Sequence, residues 1–307
     1  MAAPVAIAVE RRLKSGRADV KGVAFHALLL LSLLITLGIL FTLVYEVVQT
    51  GFGVLTDRGS DFLTSTLSAN PANAGVWQGL KGSFFIALFV IVFAFPVGIG
   101  AAIYLEEYAS DTRVTRFINI NIRNLAGVPS VVYGLLGLAI FVKYLGGLTG
   151  GRSVMAGGLT LAVLVLPIVI ITAAEALRAV PSGLREAGFG VGATRWEVVR
   201  SHVLPYAAPG ILTGTVLSLA RALGEAAPLI LVGAISRGFF ATSGGGLIDE
   251  LQGKFTAMPM IVYGWASNPD VDFREGLASA AIIVLLAVIL TANGAAILLR
   301  NRYERQR

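Results

Sequence analysis

The most distinctive chemical feature of this sequence is an arginine and a glutamate placed four residues apart inside an apolar segment. Arg221 and Glu225 follow one uncharged stretch and precede another. An ionisable residue near the centre of a membrane-spanning helix costs on the order of 2.5–3.5 kcal/mol, so something must compensate for both charges. At a spacing of four, the two side chains share a helix face and can pair. We therefore expect an ion pair at this position.

The backbone around this pair is also weakened. Gly224 and Pro228 both disfavour a continuous helix, and the backbone groups that they free could line a wet cavity. An arginine in such a place offers an anion a bidentate fork of donors. The competing interpretation is that the pair makes polar contacts that hold a neighbouring subunit. Anion binding and subunit contact are compatible roles.

A second polar feature is the segment 181–205, which carries three Arg and two Glu between two long apolar stretches. Ser182 follows a proline and can cap a short helix, and Thr194 with Glu197 has the spacing of a capping box. The pattern predicts two short helices joined at residues 190–192. Glycine there permits a positive φ and a close approach by another protein's backbone.

The second of these helices is predicted to carry an apolar stripe. Trp196, Val199 and Val203 recur at helical spacing, and Pro205 is expected to end or kink whatever follows. Such a hairpin can fit a groove on a partner protein. The alternative is an amphipathic linker that lies on the lipid headgroups, with its basic residues touching anionic lipid.

The composition is that of a membrane protein. Hydrophobic residues make up 56% of the sequence, charged residues make up 14%, and the mean hydropathy is +0.79, which is rare for a soluble globule. Six uncharged runs are each long enough to cross about 30 Å of hydrocarbon as a helix, and none alternates in polarity as a barrel strand would. We predict an all-α membrane protein with six transmembrane helices. The runs are 27–45, 83–105, 125–142, 153–174, 203–220 (continuing, after two charges, to Ser236) and 276–299.

The orientation follows from Lys and Arg, which resist translocation when they flank a span. With six spans both termini share a side, and the segments on that side hold 16 Lys and Arg against 7 on the other. Both termini and the segment 181–205 are therefore predicted to be cytoplasmic. The net charge of +6 lies mainly at these membrane flanks and implies no nucleic-acid partner.

The sequence offers no chemistry for an enzyme. It has no Cys, and its two His residues, His26 and His202, are isolated, which makes a metal site improbable. Residues 146–153 imitate a phosphate-binding loop, but Arg152 stands where the lysine should be. No hydrolase motif occurs. The chain is not expected to bind ATP itself.

The polar segment resembles the coupling loop of binding-protein-dependent ABC transporter permeases. Glu186, Ala187, Gly192 and the closing Leu204-Pro205 have the spacing of that motif. The resemblance implies that two ATP-binding cassette subunits, which bind ATP and magnesium, grip this loop. The implied coupling residues are Glu186, Ala187, Gly192, Thr194, Trp196, Leu204 and Pro205. Two positions depart from the usual pattern, Gly188 in place of Ala and His202 in place of Ile.

Other segments are similar to the phosphate-specific permeases, in particular the A-type subunit. Residues 96–105, 123–134 and 220–229 carry this likeness. It implies a C-type permease partner, an external phosphate-binding protein, and a phosphate path along Arg221 and Glu225. Many relatives carry an Arg where this chain has Thr172.

The resemblance also implies a division of the chain and a location. Residues 1–24 are expected to be a basic cytoplasmic arm, 25–76 the first span with an external loop, 77–299 the five-helix permease core and 300–307 a cytoplasmic tail. In the external segment 237–275, residues 247–260 are expected to form an interfacial or re-entrant helix. The location implied is the plasma (inner) membrane of a bacterium or archaeon. Two rivals stay open: a permease for another oxyanion or solute, and a secondary transporter that needs no ATPase.

Overall fold

A computed structural model describes residues 20–235 and 246–305 of the chain. In this part of the chain the secondary structure is helical, and five helices are long and apolar enough to cross a membrane, or six spans when a bent pair counts as one. The prediction of an all-α protein with six spans is confirmed. The helices of five or more residues are α1 (Val20–Thr64), α2 (Trp77–Tyr108), α3 (Arg113–Ala126), α4 (Ser130–Tyr144), α5 (Val154–Arg178), α6 (Ser182–Gly190), α7 (Arg195–Gly224), α8 (Ala227–Val232), α9 (Leu247–Leu251), α10 (Met258–Ala266) and α11 (Asp272–Arg302).

The chain divides into two compact units, residues 1–49 and 50–307. The described part of the smaller unit is the first portion of α1, which contains the predicted span 27–45 and exposes most of its large apolar side chains. The larger unit holds all the other helices. The predicted division into a first span with its loop and a permease core that starts at residue 77 stays a prediction.

The connection between the first two spans is shorter than predicted. The external loop expected within 25–76 is short, because α1 continues to Thr64 with one non-helical residue, Gly59, and α2 begins at Trp77. The charged residues that suggested a loop are compatible with a helix outside the hydrocarbon. The chain turns at Asn70, whose side chain accepts a hydrogen bond of 3.0 Å from the Ala72 N–H.

The third apolar run is not one straight span. It was predicted over 125–142, but α3 ends at Ala126 and α4 begins at Ser130, and the two helices meet at 100°. Pro129 has no N–H and disfavours the helical conformation of the residue before it, which favours a break in the helix at this point. The apolar run was therefore found correctly, and its bend was missed.

Helix α5 is the centre of the larger unit. Its apolar window is 67% buried, whereas the other candidate spans are buried by at most a third. It packs against α2, α4 and α7. Small residues permit these contacts: a Cβ on Gly158 would lie 2.7 Å from the Phe89 ring, and one on Gly98 would lie 2.7 Å from Val169.

The segment after α8 also differs from the prediction. Residues 247–260 do not form one helix, because α9 ends at Leu251 and α10 starts at Met258. Between them the chain is anchored rather than helical: Phe255 is buried, and the Met258 N–H donates to Ser83 Oγ at 2.9 Å. Residues 236–245 of the predicted external segment lie outside the described residues.

Candidate functional site

The polar segment 181–205 forms a helical hairpin. Helix α6 is followed by a turn in which Gly192 has φ 84°, and α7 begins at Arg195. The predicted positive φ is confirmed. So is the capping box: the Thr194 N–H donates to Glu197 Oε2 at 2.7 Å, and the Glu197 N–H donates to Thr194 Oγ1. We call residues 181–203 the coupling hairpin.

One local prediction about the hairpin is wrong, and one of the two alternatives predicted for Pro205 is excluded. Ser182 does not cap α6; it is the first helical residue, and Pro181 occupies the cap position with an extended ψ of 137°. Pro205 does not end the second helix, which runs on to Gly224. A π-helical turn at Val199–Val203 precedes this proline, and its wider backbone accommodates a residue that has no N–H to donate.

The predicted apolar stripe is also divided between two faces. Val199 and Val203 are buried against the helix ends, whereas Trp196 is 56% exposed. The π-helical turn shifts the phase of the helix between Trp196 and Val203, so helical spacing does not place them together. The open apolar surface of the hairpin consists instead of Leu184, Phe189, Val191 and Trp196.

The remaining motif residues sit at the hairpin as follows. Glu186 and Ala187 are exposed on α6, and Leu204 and Pro205 are half-buried where α7 turns back among the other helices. Gly188 is buried, and a Cβ there would lie 2.7 Å from Val198 Cγ2. This glycine therefore lets α6 pack closely on the start of α7.

The other two departures from the family pattern have different surroundings. His202 is exposed, so it takes no part in the buried packing of the hairpin. Thr172 lies on α5, where its hydroxyl donates to the Ile168 carbonyl at 3.0 Å. A Cβ on Gly214 of α7 would collide with Thr172, so this position is a contact between two helices.

Two ion pairs join the hairpin region to the end of α2. Glu107 accepts from Arg185 of α6, with Nη2 to Oε1 at 2.6 Å, and Glu106 accepts from Arg178 at the end of α5, with Nε to Oε2 at 2.8 Å. Both carboxylates lie in the π-helical turn Tyr104–Tyr108. These pairs were not predicted from the sequence. The adjacent glutamates at the end of an apolar run were the available signal.

The predicted pair of Arg221 and Glu225 is present. Arg221 Nε lies 3.4 Å from Glu225 Oε1, with the arginine side chain 48% exposed and the glutamate side chain 20% exposed. Helix α7 ends at Gly224, and Glu225 is extended, with φ −82° and ψ 116°. The two residues therefore pair across the end of a helix rather than along one face.

This break lies well inside the helix bundle. Helix α7 runs antiparallel to α5. Helix α8 continues in the same direction along α5, and Gly233 at its end contacts Arg152, just before the start of α5. Helix α8 also packs on α4, where a Cβ on Gly134 would lie 2.8 Å from Pro228 Cα. Both α4 and α8 thus follow an interruption, and Val128 and Ala226 pack against one core cluster. Interrupted helices free backbone groups for solute binding within a membrane.

Other candidate chemistry is sparse in the described residues. No group of three or more His, Cys, Asp or Glu there could hold a metal ion. His26 Nδ1 lies 2.8 Å from the Gly22 carbonyl of its own helix. The segment that imitates a phosphate-binding loop forms a short helix, Gly146–Thr149, and a turn, after which Ser153 caps α5.

Comparison with known proteins places these features in a family. Residues 94–305 match the family described as binding-protein-dependent transport system inner membrane component. The chain is 34% identical to the phosphate transport system permease protein PstA of Mycobacterium leprae, over 94% of this chain and 90% of that protein. It is 32% identical to the probable ABC transporter permease protein YqgI of Bacillus subtilis, over 76% of this chain and 81% of that one.

Solved structures agree in fold. A chain of a bacterial alginate ABC transporter superposes with a TM-score of 0.66 at 15% identity, covering 92% of this chain and 95% of that chain. A chain of the inward-facing MetNI methionine ABC transporter superposes with a TM-score of 0.55 at 17% identity, covering 77% and 99%. The chain is a multi-pass inner membrane protein, and it belongs to the family of inner membrane components of binding-protein-dependent transport systems.

Proposed function

We propose that this chain is the permease subunit of an ATP-driven importer that moves inorganic phosphate into the cytoplasm. The observation that carries the proposal is the coupling hairpin, whose exposed apolar residues lie between two spans in a chain of this family. An exposed apolar surface on a polar hairpin is suited to binding a protein partner. The relative named as a phosphate permease, which matches over 94% of the chain, supports phosphate as the substrate.

The partners follow from this role. Two ATP-binding cassette subunits bind ATP and magnesium, hydrolyse the nucleotide and grip the coupling hairpin, so this chain contributes no catalytic residue and no cofactor of its own. A second permease subunit of the C type completes the pathway across the lipid bilayer. An external phosphate-binding protein delivers the substrate. Both termini lie in the cytoplasm, and no nucleic acid takes part.

The hairpin converts closure of the ATPases into movement of the spans. Exposed Glu186, Ala187 and Trp196 contact the ATPase, while Gly192 permits a close approach of the two backbones. Thr194 fixes the start of α7 through the capping box. Leu204 and Pro205 then carry the movement into a helix that continues to the break at Gly224. The spans rock between outward and inward access, as a two-state switch biased by nucleotide.

Arg221 and Glu225 line the phosphate path. The guanidinium is half-exposed and offers several N–H donors, which match the oxygens of a phosphate. Glu225 compensates the cation when no anion is present. An arriving phosphate competes with this carboxylate for Arg221, and the extended backbone at Glu225 leaves polar groups beside it.

An importer of another oxyanion or solute is the second candidate. Thr172 favours this candidate. Many relatives carry an Arg at this position, whereas Thr172 has no charge and instead forms a contact between α5 and α7. A secondary transporter is a weaker candidate, since it would leave the coupling hairpin without a role. One experiment separates all three, namely uptake by vesicles that contain the reconstituted complex with its binding protein.

In that experiment, uptake of labelled phosphate is measured with ATP, without ATP, and with ATP plus excess sulfate. Uptake of labelled sulfate is measured with ATP. The proposal expects uptake that requires ATP and is insensitive to sulfate. ATP-dependent uptake of sulfate in place of phosphate would identify an importer for another oxyanion. Uptake that is equal with and without ATP would identify a secondary transporter.

A further inference from the structure

We infer that Arg185 and Glu107 form a joint that fastens the coupling hairpin to α2. Movement of the hairpin then displaces α2 together with α5 and α7, the two spans that are continuous with the hairpin. The inference rests on the proposed function, because it assigns positioning residues to that transport cycle. It concerns a span that does not adjoin the hairpin along the chain.

The joint is built from one guanidinium and three acceptor groups. Arg185 Nη2 donates to Glu107 Oε1 at 2.6 Å, and Nε lies 3.2 Å from Oε2, which makes a fork on one carboxylate. The same side chain donates to the Val180 carbonyl at 2.8 Å and to the Leu177 carbonyl at 3.0 Å. The Leu177 carbonyl lies in the last turn of α5 and the Val180 carbonyl in the link that follows it. Arg185 thus ties together α6, α5 and α2.

Burial distinguishes this pair from an ordinary surface contact. The Glu107 side chain is 8% exposed and that of Arg185 is 24% exposed. A buried carboxylate that loses its partner is strongly disfavoured, so the pair resists separation. The nearby pair of Arg116 and Asp111 has the same kind of charges, but its side chains are 67% and 82% exposed. Water and salt screen such a pair, so it contributes little to the stability of the helix contacts.

The connections of the hairpin show why a joint is needed. Residues 179–181 link α6 to α5, and α7 leaves the hairpin as a continuous helix. Helix α2 does not adjoin the hairpin along the chain; it packs on α5, and side-chain contacts join its end to the hairpin. The second contact beside Glu107 is the Tyr108 ring, whose centroid lies 5.8 Å from Arg195 Cζ at the start of α7. The end of α2 is therefore held by both arms of the hairpin.

The test measures phosphate imported per ATP hydrolysed in reconstituted complexes. Glu107→Gln and Arg185→Gln each remove one charge, and the ratio should fall about fivefold or more while ATP hydrolysis continues, because a coupling interaction of this kind is lost. Arg185→Lys keeps a cation and N–H donors opposite Glu107 and should retain more of the ratio than Arg185→Gln. The matched control Asp111→Asn should keep the wild-type ratio.

A covalent link provides a second measurement. The chain has no Cys, so a short bis-maleimide can bridge the double variant Glu107→Cys with Arg185→Cys without cross-linking any other site in this chain. The unbridged variant should transport poorly per ATP, and bridging should raise the ratio. A ratio that is normal before bridging, or that bridging lowers, would overturn the inference.

Two further outcomes are informative. If none of these variants assembles with the other subunits, the pair is a structural contact and the inference is wrong. If the wild-type complex imports no phosphate with ATP, the proposed function fails. The joint is then tested with the same variants by the amount of the solute that the complex does carry, imported per ATP hydrolysed.

Discussion

The hairpin turn at Gly192 provides the sharpest test of the coupling role. Gly192 has φ 84°, and a Cβ at this position would meet no atom within 4 Å. A larger residue therefore causes no collision within the chain, and the cost to this subunit is backbone strain alone. For an L-residue in the left-handed region that cost is about 1–2 kcal/mol, and it is smallest for Asn and Asp.

The variants Gly192→Asn and Gly192→Asp separate shape from charge. Both adopt a positive φ with similar ease and have nearly the same volume, so both should fold and enter the membrane. At a close contact with the ATPase, the aspartate adds an unpaired charge, which costs on the order of 2–5 kcal/mol when it is buried at an interface. Such a cost corresponds to a loss of about 30-fold or more in ATPase binding.

The assay is co-purification of the ATPase with the permease, followed by phosphate-stimulated ATP hydrolysis in vesicles. We expect Gly192→Asn, which adds a side chain at the close contact, to weaken both signals in part and Gly192→Asp, which adds a charge as well, to lose them. Normal ATPase binding and normal stimulation by Gly192→Asp would remove this turn from the coupling mechanism. Equal loss in both variants would show that space, rather than charge, is critical at the contact.

Three further predictions address orientation, the substrate path and the packing of the hairpin. A membrane-impermeant thiol reagent should label Ser182→Cys only after the membrane is opened and Ala72→Cys in intact cells; the reverse pattern would overturn the topology, and the unaltered chain, which has no Cys, is the control. Arg221→Gln keeps donors and bulk but removes the cation, so assembled complexes should hydrolyse ATP and lose phosphate uptake; uptake at the wild-type rate would leave the pair as structural glue. Gly188→Ala places a Cβ 2.7 Å from Val198, so overpacking should destabilise the permease by about 1–3 kcal/mol, seen as a lower melting temperature that Val198→Ala restores; an unchanged melting temperature would show that the hairpin yields easily.

Several features of this protein were determined by local sequence. The spans followed from the length of the apolar runs, because a bilayer demands about 20 apolar residues per helix. The capping box followed from Thr194 and Glu197, and the positive φ of Gly192 from its place between two helical patterns. The ion pair of Arg221 and Glu225 followed from a spacing of four. Each of these depends on residues within one or two helical turns of each other.

The tertiary structure decided the rest, because those features depend on phase and on distant partners. A π-helical turn at Val199–Val203 changes the phase of the helix, so spacing alone could not separate exposed Trp196 from buried Val203. Arg185 and Glu107 are 78 residues apart, and no local pattern links them. Their pairing exists only because the folded helices bring the end of α2 against the hairpin, where burial makes the two charges depend on each other.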